Sequence, residues 1–210
     1  MALFQCLNDT KLRYALETNN GDKLPDRLPD GKDIDILVEP DDCDRLMEAM
    51  LRAGFCRVAP FLGKENGYRF AYGLQQNLTF LKNISGMRLY IDVDTALMCL
   101  SLQPKIWIPL DKTITRKAFE NRVFNKALNC WELDDETRLI YLLARAVFNK
   151  KKFSDIYIDE IEKRKELLDH PSVISSLEKI FFRFTPELIR LLKSGSYSKI
   201  RTRYILFEDY

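Results

Sequence analysis

The sequence predicts an α+β fold, a mixed β-sheet with flanking helices followed by a helical C-terminal part. Three observations carry this. Short apolar, β-branched runs separated by turn residues fill the first half. Residues 33–54 read as strand, tight turn and helix. From Asp134 onward apolar residues recur at helical spacing. The expected division is an α/β domain over 1–132 and a helical domain over 133–210.

In order, Leu12–Glu17 is a candidate strand running into TNNGDKLPDRLPDGK, a loop too rich in Asn, Gly, Pro and Asp for sustained regular structure. DIDILVE at 33–39 is a β-branched strand of the kind buried on both faces. Asp41 is a plausible N-cap for the helix that follows, in which Cys43, Leu46, Met47, Met50 and Leu51 share a face and Gly54 marks the end. Cys56–Phe61, Tyr68–Gly73, Asn77–Lys82 and Met87–Asp94 are further strands, the last two joined by a turn at Asn83–Gly86. Leu139, Leu142, Leu143, Ala146 and Val147 then define a helix capped by Asp134 or Asp135 and ended by Lys150–Lys152. A second helix is expected over Asp155–Leu168, with shorter ones after Pro171 and Pro186. The lone histidine, His170, reads as a turn residue.

Composition narrows the function. The 210 residues are 46% hydrophobic and 30% charged, with a formal net charge of +2, so no nucleic-acid coat or membrane-binding surface is expected. No apolar run approaches the ~20 residues that span a bilayer, and MALFQCLNDTK lacks the pattern of a signal peptide. The five cysteines have no metal-ligand spacing and read as buried free thiols in a reducing compartment. The expectation is a cytoplasmic protein.

The chemistry lies in the acidic strands. Side chains alternate along a strand, so Asp33 and Asp35 point the same way while Ile34, Ile36 and Val38 face the core. Two like charges on one face favour water or a shared cation. RLYIDVD at 88–94 places Leu89, Ile91 and Val93 on one face and Arg88, Tyr90, Asp92 and Asp94 on the other. Carboxylates from two strands are the hard oxygen donors that Mg²⁺ takes together with water and substrate phosphates. Lys23, Arg27 and Lys32, in the loop before the first acidic strand, are candidate phosphate-binding cations or solvated loop charges.

The segment GDKLPDRLPDGKDIDILVEP followed by RLYIDVDTAL resembles the nucleotidyltransferase superfamily, of DNA polymerase β-like fold. Within it, LP…GKDIDILV is similar to uncharacterised bacterial members associated with surface-polysaccharide loci. The family pattern is a Gly-Ser or Gly-Gly turn, an Asp-x-Asp strand and a later carboxylate between hydrophobes. Asp33 and Asp35 match the pair, and Asp92 matches the third position better than Asp94. Where the family places Gly-Ser, this chain has Gly21-Asp22, whose carboxylate repels phosphate and replaces a hydroxyl donor.

The resemblance implies a Mg²⁺-dependent transferase with a two-ion site at Asp33, Asp35 and Asp92, and nucleotide contacts from Gly21, Lys23 and Lys32. It would move a nucleoside monophosphate, or a related phosphoryl-linked group, from a nucleoside triphosphate or CDP-linked donor. The acceptor would be the hydroxyl of a small molecule, a polysaccharide precursor being one candidate. Two other readings stand beside it: a non-catalytic nucleotide- or protein-binding module of the same fold, and a toxin-like enzyme modifying protein or tRNA. The atypical turn favours the first, and the small net charge argues against the second.

Overall fold

The run DIDILV forms a strand because its apolar residues pack from both sides: the β-branched Ile34, Ile36 and Val38 are buried, and so is Leu37. It lies in a computed structural model that describes residues 2–19, 24, 33–58, 70–71, 78–84, 86–101 and 106–209. Two units divide the chain. One holds Met1–Met98 with Lys105–Asp134, and the other holds Cys99–Pro104 with Asp135–Tyr210.

Up to Asp134 the elements are α1 (Ala2–Asp9), β1 (Tyr14–Leu16), β2 (Asp33–Val38), α2 (Cys43–Arg52), β3 (Cys56–Val58), β4 (Phe70–Ala71), β5 (Leu78–Ile84), β6 (Met87–Asp94), β7 (Met98–Leu100), β8 (Ile106–Pro109), α3 (Lys112–Glu120), β9 (Val123–Asn125) and β10 (Cys130–Glu132). Among the described residues a seven-stranded sheet runs in the order β3-β5-β6-β2-β1-β10-β9. It is mixed: β2 pairs parallel with β6 and β1 parallel with β10, while the other neighbours run antiparallel. The α+β class expected from the sequence is the one observed.

One core fills one face of this sheet. Ile34, Ile36 and Val38 join Leu78, Phe80, Ile91, Val93, Tyr14 and Leu16 beneath Leu3, Phe4 and Leu7 of α1 and Leu46 and Met50 of α2. Each such side chain contributes roughly 1.5–3 kcal/mol by leaving water. With that face filled by hydrocarbon, alternation leaves Asp33 and Asp35 on the other.

The end of α2 follows from one glycine. Gly54 has φ +79°, its N–H bonds the Leu51 carbonyl at 3.0 Å, and the Phe55 N–H bonds the Met50 carbonyl at 3.0 Å. This left-handed cap turns Phe55 into the core, while the Lys82 ammonium donates to the Ala53 carbonyl at 2.6 Å. A Cβ on Gly54 would meet nothing closer than 3.7 Å, so a substitution there costs only backbone strain. Gly54→Ala is expected to lower stability by about 1–2 kcal/mol, readable by urea unfolding. An unchanged midpoint would mean that the turn relaxes.

In the second unit, α4 (Asp135–Ala144) continues through a π-helical turn at Arg145–Asn149, followed by α5 (Asp155–Glu162), α6 (Pro171–Phe181), α7 (Thr185–Lys193) and α8 (Tyr197–Ile205). Ile140 and Tyr141 are buried along with the predicted Leu139, Leu142 and Leu143, so α4 is enclosed more fully than a one-sided stripe. Phe148, Phe181, Phe184 and Tyr204 form an aromatic cluster with centroids 5.3–5.8 Å apart. No helix among the described residues is long and apolar enough to cross a membrane.

Several sequence expectations need correction. The helix expected over Asp155–Leu168 stops at Glu162 and resumes as a 3₁₀ turn over Lys165–Asp169. The break lies at Arg164, whose guanidinium reaches back to Glu160 and across to Asp135. The cysteines are not uniformly buried: Cys6 on α1 is half-buried, and Cys56 is exposed on β3, an edge strand of the sheet among the described residues. Strand 56–61 is described only to Val58 and strand 68–73 only at Phe70–Ala71. His170 sits at the N-cap of α6, a junction residue as expected.

Candidate metal centre

The register of β2 against β6 decides which carboxylates meet. In this parallel pair Asp33 lies beside Tyr90 and Asp35 beside Asp92, with Leu37 beside Asp94. Neighbouring residues across a sheet project to the same face, so Asp33, Asp35 and Asp92 converge. One carboxylate oxygen from each lies within 4.8 Å of the other two. Asp33 is exposed and the other two are half-buried. The gathered set contains Asp92 and not Asp94, which is buried at the far end of β6, beside Leu37.

A third strand supplies a contact that the sequence reading passed over. In the antiparallel pair of β5 and β6, Thr79 lies opposite Asp92. Its hydroxyl donates to Asp92 Oδ1 at 2.8 Å. The signal was present in the hairpin: once the connection is fixed between Ile84 and Met87, counting back along both strands brings Thr79 opposite Asp92. A turn placed loosely over Asn83–Gly86 leaves that register open. On the other side, the Glu17 N–H donates to the Asp35 carbonyl at 3.0 Å, fixing β2 in the sheet. Glu17 is itself buried, which its place in a loop-bound run did not signal.

Gly21, Lys23 and Lys32 lie outside the described residues, as do Asp22 and Arg27. In the helical unit, the Arg145 guanidinium lies 5.4 Å from the Tyr141 ring centroid.

The donor set fits a hard divalent cation. It consists of oxygens only, it carries three negative charges when ionised, and one of its members, Asp33, is exposed to solvent. Thiol or imidazole donors, which select softer metals, are absent from the gathered set.

No family model matches the chain, and no curated protein matches it. Among solved structures, the antibiotic-resistance factor ANT(2'')-Ia is similar over 92% of this chain and 94% of that one, with a TM-score of 0.46 and 11% identity. At that distance the likeness says nothing about the substrate of this chain.

Proposed function

We propose that the chain is a metal-dependent nucleotidyltransferase acting on the hydroxyl of a small molecule. The supporting observation is the convergence of Asp33, Asp35 and Asp92 from two parallel strands, on the residues that carry the resemblance to that superfamily. Asp33 and Asp35 would hold Mg²⁺, and Asp92 would complete the set. A bound divalent cation there supplies positive charge that offsets developing charge on phosphate oxygens. Asp92 would also orient the acceptor hydroxyl and take its proton. Lys23 and Lys32, together with the backbone at Gly21, are proposed to contact the nucleotide phosphates and to offset the charge of Asp22. The helical part from residue 133 onward is proposed as a separate domain. A polysaccharide precursor is the proposed acceptor class, resting on family analogy alone.

The test is a thermal-shift screen of nucleoside triphosphates and CDP-linked alcohols, each with and without Mg²⁺. A productive donor is expected to raise the melting temperature only when Mg²⁺ is present, since a ligand specific to the native state stabilises it. Equal shifts with and without the ion would favour the binding-module reading instead.

A further inference from the structure

Asp92 stands between two neighbours that pull it in different ways. On the β2 side it faces Asp35 at the same level of the sheet, and two carboxylates so placed repel each other whenever both are ionised. A half-buried aspartate under that push has an easy escape, because rotation about its side-chain bonds swings the carboxylate away from its neighbour at little cost. On the β5 side Thr79 is level with it and donates its hydroxyl proton to Asp92 Oδ1 at 2.8 Å. A hydroxyl has one proton to give, and this one is given to Asp92.

We infer that Thr79 is a positioning residue for the metal centre, whose hydroxyl holds the Asp92 carboxylate in the orientation that keeps an oxygen within reach of Asp33 and Asp35. This inference rests on the metal-centre reading above and adds to it a residue outside the acidic pattern. A carboxylate oxygen has two acceptor positions, so a bond from Thr79 leaves capacity for a cation. Hydrogen-bond partners that orient metal ligands in this way typically change metal affinity 10–100-fold when removed. Threonine suits the place for two reasons. Its β-branched shape fits a strand paired on both sides, with Val58 as its partner on β3, and its hydroxyl is neutral, so it fixes Asp92 without cancelling the charge the cation needs. Lysine or arginine there would compete with the ion.

The test uses Mn²⁺ alone as the probe, titrated into the full chain and followed by the loss of the free-ion electron paramagnetic resonance signal. Four proteins are compared: wild type, Thr79→Val, Thr79→Ser and Asp35→Asn. Thr79→Val keeps the shape and removes only the hydroxyl. It is expected to weaken Mn²⁺ binding by about tenfold or more, while Thr79→Ser stays within about threefold of wild type. Thr79→Val binding Mn²⁺ as wild type does, with Asp35→Asn losing it, would overturn the role of Thr79 and leave the metal centre standing. Wild type and Asp35→Asn binding alike would overturn the metal centre itself. Thr79→Ala, which lacks the same hydroxyl, is the second variant should Thr79→Val not fold. Failure of both to melt cooperatively would make Thr79 a structural residue and end the inference.

Discussion

Replacing Asp35 by Asn is expected to reduce the proposed nucleotidyl transfer by about 10³-fold or more while leaving the melting temperature of the metal-free protein unchanged or slightly raised. The two effects have one electrostatic origin. Without a cation, Asp33, Asp35 and Asp92 hold three like charges within 4.8 Å, and neutralising one relieves repulsion with almost no change in shape. With a cation, the same change removes a charged ligand at the centre of the set, since Asp35 is flanked by Asp33 along its own strand and by Asp92 across to the next. A structural aspartate behaves in the opposite way, and a large drop in melting temperature without metal would show that Asp35 serves the fold. Asp35 is only half-buried and lies on the face turned away from the apolar core, which argues for the first outcome.

The second large effect concerns stability and lies in the helical unit. Arg164 is buried, and its guanidinium donates to Glu160 Oε2 at 3.0 Å, to the Glu160 carbonyl at 2.9 Å and to Asp135 Oδ1 at 2.7 Å. It therefore ties the start of α4 to the end of α5. Arg164→Met is expected to cost about 3 kcal/mol at neutral pH, because it strands the buried Glu160 carboxylate with Lys163 as its remaining ion-pair partner. The loss should shrink in acid. Burial pushes the Glu160 carboxyl up, but the hydrogen bonds and charges of Lys163 and Arg164 outweigh it and hold the group below its ordinary value of 4.5. A carboxyl depressed in the folded state contributes its full stabilisation above that ordinary value and loses it as pH falls through the folded one. Urea unfolding at pH 7 and again at pH 3 reads the difference between wild type and variant. An equal gap at both pH values would show that the cost is lost packing and not the ion pair.

Much of the candidate centre was legible because strand alternation is a strict rule. Asp33 and Asp35 must share a face once DIDILV is a strand, and Ile34, Ile36 and Val38 then declare which face is core. In β6 alternation puts Asp92 and Asp94 on one face alike, and it was the resemblance to the family pattern that pointed to Asp92. Pairing was not legible, since the parallel register of β2 on β6 is set by contacts far apart in the chain. Thr79 went unnoticed with it, having no meaning until its strand is aligned. The elements missed were the short ones. The helix Ala2–Asp9 has too few turns to hold alone in water, and it forms because Leu3, Phe4 and Leu7 find the core. The three-residue strands at Val123–Asn125 and Cys130–Glu132 are too brief to show a period and exist through their pairing with each other and with Tyr14–Leu16. The exposed Cys56 was misplaced because residue type says nothing about which strand ends at the edge of a sheet.

Whether Asp33, Asp35 and Asp92 act together as a cation site is tested most directly by calorimetric titration of Mg²⁺ in the presence of a saturating nucleoside triphosphate. Wild type is expected to bind the ion at the protein, beyond what the free nucleotide takes up. Asp35→Asn and Asp92→Asn are each expected to lose at least tenfold in affinity while keeping the wild-type melting temperature without metal. Affinity that survives in both variants would place the ion elsewhere and contradict the account.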